Sequence, residues 1–419
     1  MSRRRLDPPA GPLLAEDDGV LSHARGIRYG RAARFAAPLP LAPWSEVFDA
    51  TTRGPACLQL PSRLEWVTGP VIDDLAMSED CQVVSVTAPS DATGLPVMVW
   101  FHGGAYMSGG GEAPKYDADE LARQGRVVVV RVSYRLGVLG YLSPSGVDNL
   151  GLRDQLLALQ WVRDNISAFG GDPERVTVFG QSAGADSVLS LMLCKETLGL
   201  FQRAIMQSAP LGVRDGREAM TAAMRSAAET TAGELLDAQT AAAAAAARFG
   251  LIGRLPFGPI AGLDPLPAAA ETDARLADAA RRVELLVGYT RNDGAPFVAM
   301  DPRIALLKRF GRVGRAAERA AAAALTRRVF GAPARRLVGQ WRKNGGRAAT
   351  FRVDWSPAEM GACHCIELPL LFHTQPWADA PMLGGRPVDQ RLADTMRRNW
   401  SGFAHHGVGG LDSTALRFG

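Results

Sequence analysis

The sequence predicts an α/β fold with a mainly parallel central sheet and helices on both faces. Three observations carry this. Residues 96–101 (PVMVWF) and 126–132 (RVVVVRV) are short, almost continuously apolar runs, as strands covered on both faces read. Leu152, Leu156, Leu159, Val162 and Ile166 recur at helical spacing. Strand-like and helix-like segments then alternate through residue 194, the pattern of a parallel sheet with crossover helices.

The elements follow in chain order. Residues 1–18 carry Pro and charge without periodicity and are expected to be loose. From Gly19 to Leu60 short strands and turns are expected. The strand 96–101 ends at His102-Gly103-Gly104-Ala105. A second strand covers 126–132, a helix 152–166, and a third strand 175–179 (RVTVF). A helix runs from Ala183 to about Cys194. Residues 214–250 are alanine-rich and helical, and 283–287 is a short strand. Residues 303–343 read as Ala/Arg-rich helices. Residues 350–353 form the expected last strand, and a helix over 392–403 closes the chain. The alanine runs have no fixed period, so a repeat architecture is excluded.

Composition narrows the function. The chain has 419 residues, 47% hydrophobic and 21% charged, which excludes general disorder. Net charge is +4, and Arg3-Arg4-Arg5 is the one compact basic run, so no nucleic-acid face is expected. Four lysines stand among 47 cations, a bias of the kind GC-rich coding produces rather than a functional one. No run approaches 18 apolar residues, so no membrane span is expected. Asp7, Pro8 and Pro9 interrupt any apolar leader, so a cytoplasmic location is expected. Five cysteines do not make a disulfide scaffold.

Gly180-Gln181-Ser182-Ala183-Gly184 matches G-x-S-x-G between a β-branched strand and a helical run. That chemistry needs a serine on a sharp turn, with glycines where the neighbouring strand and helix leave no room for a side chain. The helix behind it aims a positive dipole end at the site. A dinucleotide-binding turn would want G-x-G-x-x-G, which is missing here. His102-Gly103-Gly104-Ala105-Tyr106 follows the first strand. Small residues there let backbone N–H groups approach the negative oxygen of an acyl-transfer intermediate.

These segments resemble the type-B carboxylesterase family of carboxylesterases and cholinesterases. The resemblance rests on SEDC (78–81), HGGAY (102–106), YRLG (134–137), NLGLRDQ (149–155), GGDPERVTVF (170–179) leading into the elbow, and FQRAIMQS (201–208). It is strongest over 78–210 and thinner over 214–345. It implies a single α/β-hydrolase domain over 19–419, with helical insertions at about 214–250 and 303–343. It implies Asp293, in Gly288-Tyr289-Thr290-Arg291-Asn292-Asp293-Gly294, as the acid, where most relatives carry Glu. It implies His364 as the base, giving the order Ser182, Asp293, His364. The oxyanion donors map to Gly104, Ala105 and Ala183. Tyr106, Leu211, Phe257 and Phe297 map to the pocket. Cys57 and Cys81 occupy positions that pair as a disulfide in many relatives, although a reducing compartment would favour two buried thiols. The chain is shorter than typical relatives after Ser208 and between Asp293 and His364, so a shortened lid and a more open pocket are expected.

Six histidines are present. His102 is expected to brace the oxyanion loop, and His405 and His406 to be exposed. Asp264, beside Pro265, is the rival acid. Cys363-His364-Cys365 lacks a second ligand pair for zinc. The expected activity is hydrolysis of an uncharged carboxylic ester through an acyl-enzyme, without metal or cofactor. Its partner would be the small-molecule ester, and the working form a monomer or homodimer. Amide or carbamate hydrolysis, or biosynthetic acyl transfer, would use the same residues. A non-catalytic binding role is the less favoured alternative.

Overall fold

The computed structural model describes residues 2–143, 146, 149–231 and 234–419, with the side chains of 305, 307 and 308 set aside. Its main sheet is built from β1 (Ser2–Leu6), β2 (Leu13–Asp17), β3 (Leu21–Arg28), β4 (Val83–Pro89), β5 (Leu95–Phe101), β6 (Val128–Val132), β7 (Gly171–Gln181), β8 (Arg203–Gln207), β9 (Glu284–Thr290), β10 (Ala348–Val353) and β11 (Ala415–Phe418). The spatial order is β1-β2-β3-β4-β6-β5-β7-β8-β9-β10-β11. From β6 to β11 every pairing is parallel, and β1–β4 add an antiparallel edge that joins β6.

Alternation along each strand feeds two cores. Val97, Val99, Phe101, Val128, Val130 and Val132 pack on one face. Met98, Trp100, Val129, Phe179 and Ile205 pack on the other. Successive side chains of a strand point to opposite faces, so a strand apolar at every position serves both layers. Arg131 is the exception within β6. It is 1% exposed and bonds Asp117 at 2.7 Å, and Arg53 shares that carboxylate. A buried charge persists where it is paired.

The helices α1 (Asp119–Gly125), α2 (Leu150–Asn165), α3 (Ala183–Leu193), α4 (Glu218–Glu229), α5 (Leu235–Ala247), α6 (Thr272–Arg282), α7 (Gly311–Leu325), α8 (Ala332–Lys343) and α9 (Gln390–His406) complete the layers. Asp389 caps α9 by accepting from the Leu392 N–H at 3.0 Å. The alanines of α5 are not all superficial. Ala238, Ala242 and Ala246 recur every fourth residue and are buried in a third core with Met220 and Tyr106.

Two expectations are corrected here. Residues 1–18 are not loose, since β1 and β2 lie within them. Leu6, Leu13 and Ala15 enter the core while Arg3, Arg4 and Arg5 face solvent, so charge protects an edge strand. The last strand is β11 rather than 350–353, and it pairs with β10 after α9 has crossed back. Residues 232 and 233 of the 214–250 segment lie outside the described residues.

Candidate active site

β5, β7, β8 and β9 run parallel and end at one edge. Phe101 pairs with Gly180, Gln181 with Gln207, and Gln207 with Gly288. The carboxyl ends of parallel strands are where such sheets place their sites, and each candidate residue leaves from that edge or packs onto it.

Ser182 follows β7 and caps α3 with φ 54° and ψ −120°. A non-glycine residue with that φ is strained, so the surroundings must hold it. A Cβ on Gly184 would lie 1.9 Å from the Phe101 carbonyl oxygen, so only glycine lets α3 seat this close to β5. Ser182 is 8% exposed and opens onto two cavities.

Asp293 and His364 sit on separate loops joined by a backbone bridge between Asn292 and Cys363. The Asn292 N–H donates to the Ala362 carbonyl at 2.8 Å. His364 Nδ1 lies 2.7 Å from Asp293 Oδ1, and both residues are fully buried. The other carboxylate oxygen accepts from Ser208 Oγ and the Thr290 N–H, each at 2.9 Å. With Nδ1 donating to Asp293, Nε2 is left as the acceptor. Gln181 Nε2 lies 3.2 Å from it, and among the described residues no hydrogen bond joins Ser182 Oγ to His364. The rings of Phe297 and Phe330 flank His364 at 5.1 and 5.4 Å.

The loop after β5 turns through Gly104 (φ 113°), Ala105 (φ 55°) and Tyr106 (φ 59°). Among the described residues no protein acceptor takes the N–H of Gly104, Ala105 or Ala183. Ala183 opens α3, where a helix always leaves donors free. His102 is fully buried, stacks on Tyr134 at 4.4 Å and contacts the Gly103 carbonyl at 2.8 Å. Burial pushes its pKa down to about 4, so it braces the loop as a neutral ring.

A chamber of about 380 Å³ contains His364, Gly103 and Gly104, and one of about 870 Å³ contains Val213, Ala243, Leu255, Ala324 and Phe330. Ser182, Ala105 and Phe297 belong to both. Of the four expected pocket residues, Phe297 lines the chambers. Tyr106 is instead fully buried, with its hydroxyl on Asp186 at 2.7 Å. Phe257 is packed in the third core and Leu211 against the first. Cys57 and Cys81 are buried free thiols, and contact with Cys57 is the first cause raising the Cys81 pKa. Asp264 is surface-exposed and pairs with Arg153, while the His364 ring pairs with Asp293. Among the described residues no group of three His, Cys, Asp or Glu side chains is placed to hold a metal.

Sequence reasoning missed Gln181, Ser208, Asp186 and Glu367. Glu367 is fully buried with neither carboxyl oxygen hydrogen-bonded among the described residues. Burial, then the nearby Asp293 charge, raises its pKa to about 7. The single available signal was its place three residues beyond His364.

The carboxylesterase family profile matches residues 16–316. A probable N-octanoylanthranilate hydrolase of Rhodococcus erythropolis is 39% identical, over 95% of this chain and 92% of that protein. A para-nitrobenzyl esterase of Bacillus subtilis is 35% identical, over 97% and 91%. A thermophilic para-nitrobenzyl esterase structure superposes with a TM-score of 0.79 at 32% identity, covering 97% of this chain and 92% of that one. A carboxylesterase structure from Geobacillus stearothermophilus gives 0.78 at 28% identity, over 96% and 91%. An elbow serine at the carboxyl edge of an α/β-hydrolase sheet, matched over nearly the whole chain, makes this protein a member of the carboxylesterase family, a serine hydrolase of carboxylic esters.

Proposed function

We propose that Ser182 is the nucleophile, His364 the general base and acid, and Asp293 the group that fixes the imidazole. The N–H groups of Gly104, Ala105 and Ala183 form the oxyanion hole. The contact between His364 Nδ1 and Asp293 at 2.7 Å carries this reading. It leaves Nε2 as the lone-pair nitrogen that serine activation needs. The Gln181 amide swings away as substrate enters, and Ser182 Oγ takes its place. Ser182 then gives its proton to Nε2 as its oxygen attacks the ester carbonyl. The tetrahedral oxyanion is held by the three N–H groups. His364 returns the proton to the departing alkoxide, and water repeats the sequence to free the acid.

Leaving-group protonation requires His364, so the alcohol or phenol sits in the smaller chamber that contains it. The acyl chain sits in the larger one, along its wall of Val213, Ala243, Leu255, Ala324 and Phe330. Each methylene buried there contributes up to about 0.8 kcal/mol, so p-nitrophenyl octanoate is expected to exceed the acetate in kcat/KM. Ala243→Trp fills that chamber and should suppress the octanoate selectively. Equal loss for both esters would reassign the chambers. The N-octanoyl compound in one relative's name supports room for such a chain. That name, an N-acyl amide, also supports amide cleavage as a second reading. Among the described residues no helix is long and apolar enough to cross a membrane. Five free thiols fit a cytoplasmic location.

A further inference from the structure

The oxyanion loop and the elbow helix are separate segments, yet the donors of one oxyanion hole are divided between them. Gly104 and Ala105 belong to the loop after β5, and Ala183 to the first turn of α3. The loop half is strained, since Ala105 and Tyr106 both lie at positive φ. Such a backbone persists only when its surroundings over-determine it.

Three contacts do so. Gly104 closes a turn by accepting from the Met107 N–H at 3.0 Å. The Tyr106 carbonyl accepts from the Gly137 N–H at 2.7 Å. The Tyr106 hydroxyl reaches across to α3 and donates to Asp186 Oδ2 at 2.7 Å. Asp186 is 2% exposed and lies one turn beyond Ser182, whose carbonyl accepts its N–H at 3.0 Å. The second Asp186 oxygen accepts from Arg214 Nε at 2.5 Å, and the same guanidinium donates to Ser190 Oγ at 2.6 Å. The carboxylate is therefore fixed on both sides. Its charge is matched by Arg214, so it opposes a developing oxyanion little.

We propose that Tyr106 and Asp186 are positioning residues. Their hydrogen bond ties the oxyanion loop to the elbow helix and holds the Gly104 and Ala105 donors in register with Ala183. Arg214 holds Asp186 in place. The proposal rests on Ser182 being the nucleophile.

The test uses Tyr106→Phe, which removes one oxygen, and Asp186→Asn, which keeps the shape of the carboxylate. Activity is read as kcat and KM on a p-nitrophenyl ester. Oxyanion binding is read as affinity for a trifluoromethyl ketone, which forms a tetrahedral adduct. Folded fraction is followed by thermal melting. Both variants should lose roughly 10- to 100-fold in kcat, with KM within about twofold. Ketone affinity should fall by the same factor as kcat/KM, since both report transition-state binding. Unchanged kcat and ketone affinity in Tyr106→Phe overturn the proposal. So does a loss explained by unfolded protein alone in both variants. If Ser182→Ala binds the ketone as tightly as wild type, the nucleophile assignment fails instead.

Discussion

Asp293 illustrates how much one methylene matters. Its carboxylate is fully buried, takes His364 on one oxygen and two further donors on the other, so it has no slack. Asp293→Asn keeps the shape but favours the wrong imidazole tautomer, and should cut kcat by roughly 10⁴-fold. Asp264→Asn, on the surface against Arg153, should leave ester hydrolysis within about twofold. The reverse ranking would move the acid. Glu367 gives a second prediction. Its folded pKa of about 7 lies above the ordinary value of 4.5 for a glutamate, so its protonated form stabilises the fold. That stability is present below the unfolded pKa and is lost as pH rises through 7. Denaturant melts should show Glu367→Gln gaining on wild type by up to ~3 kcal/mol between pH 5 and pH 8. A difference that stays flat with pH would place the proton elsewhere. The elbow serine was legible because its turn demands glycines at fixed offsets. Tyr106 was misread because sequence shows an aromatic beside the loop but not the carboxylate, 80 residues away, that takes its hydroxyl.

At the scale of elements, strand and helix packing sets the site. α3 seats against β5 so closely that Gly184 has no room for a side chain. Gly184→Ala should push the helix off the sheet, costing about 3 kcal/mol or more by overpacking and backbone displacement. An unfolding free energy from denaturant titration within about 1 kcal/mol of wild type would contradict that packing account. The central strands were legible because both faces are buried, which leaves an unbroken apolar run in 128–132 apart from Arg131. The N-terminal strands were not. Leu13 and Ala15 do alternate, but the neighbouring Pro and Arg residues hide the pattern, and their partners lie in a sheet that sequence does not display. β11 was missed for the same reason, since four residues hold too little periodicity and its stability comes from pairing with β10.

Across the whole molecule, one sheet brings four distant segments to a single edge. Residues 102–106, 180–184, 288–293 and 362–364 meet there because β5, β7, β8 and β9 are parallel neighbours and a backbone bridge joins the last two loops. The net charge of +4 has no part in this arrangement. The measurement closest to the central claim is covalent labelling by a fluorophosphonate, read by intact mass and then by peptide mapping. Wild type should gain one adduct on the peptide carrying Ser182, and Ser182→Ala should gain none. An unlabelled wild type, or the same adduct in Ser182→Ala, would contradict the account.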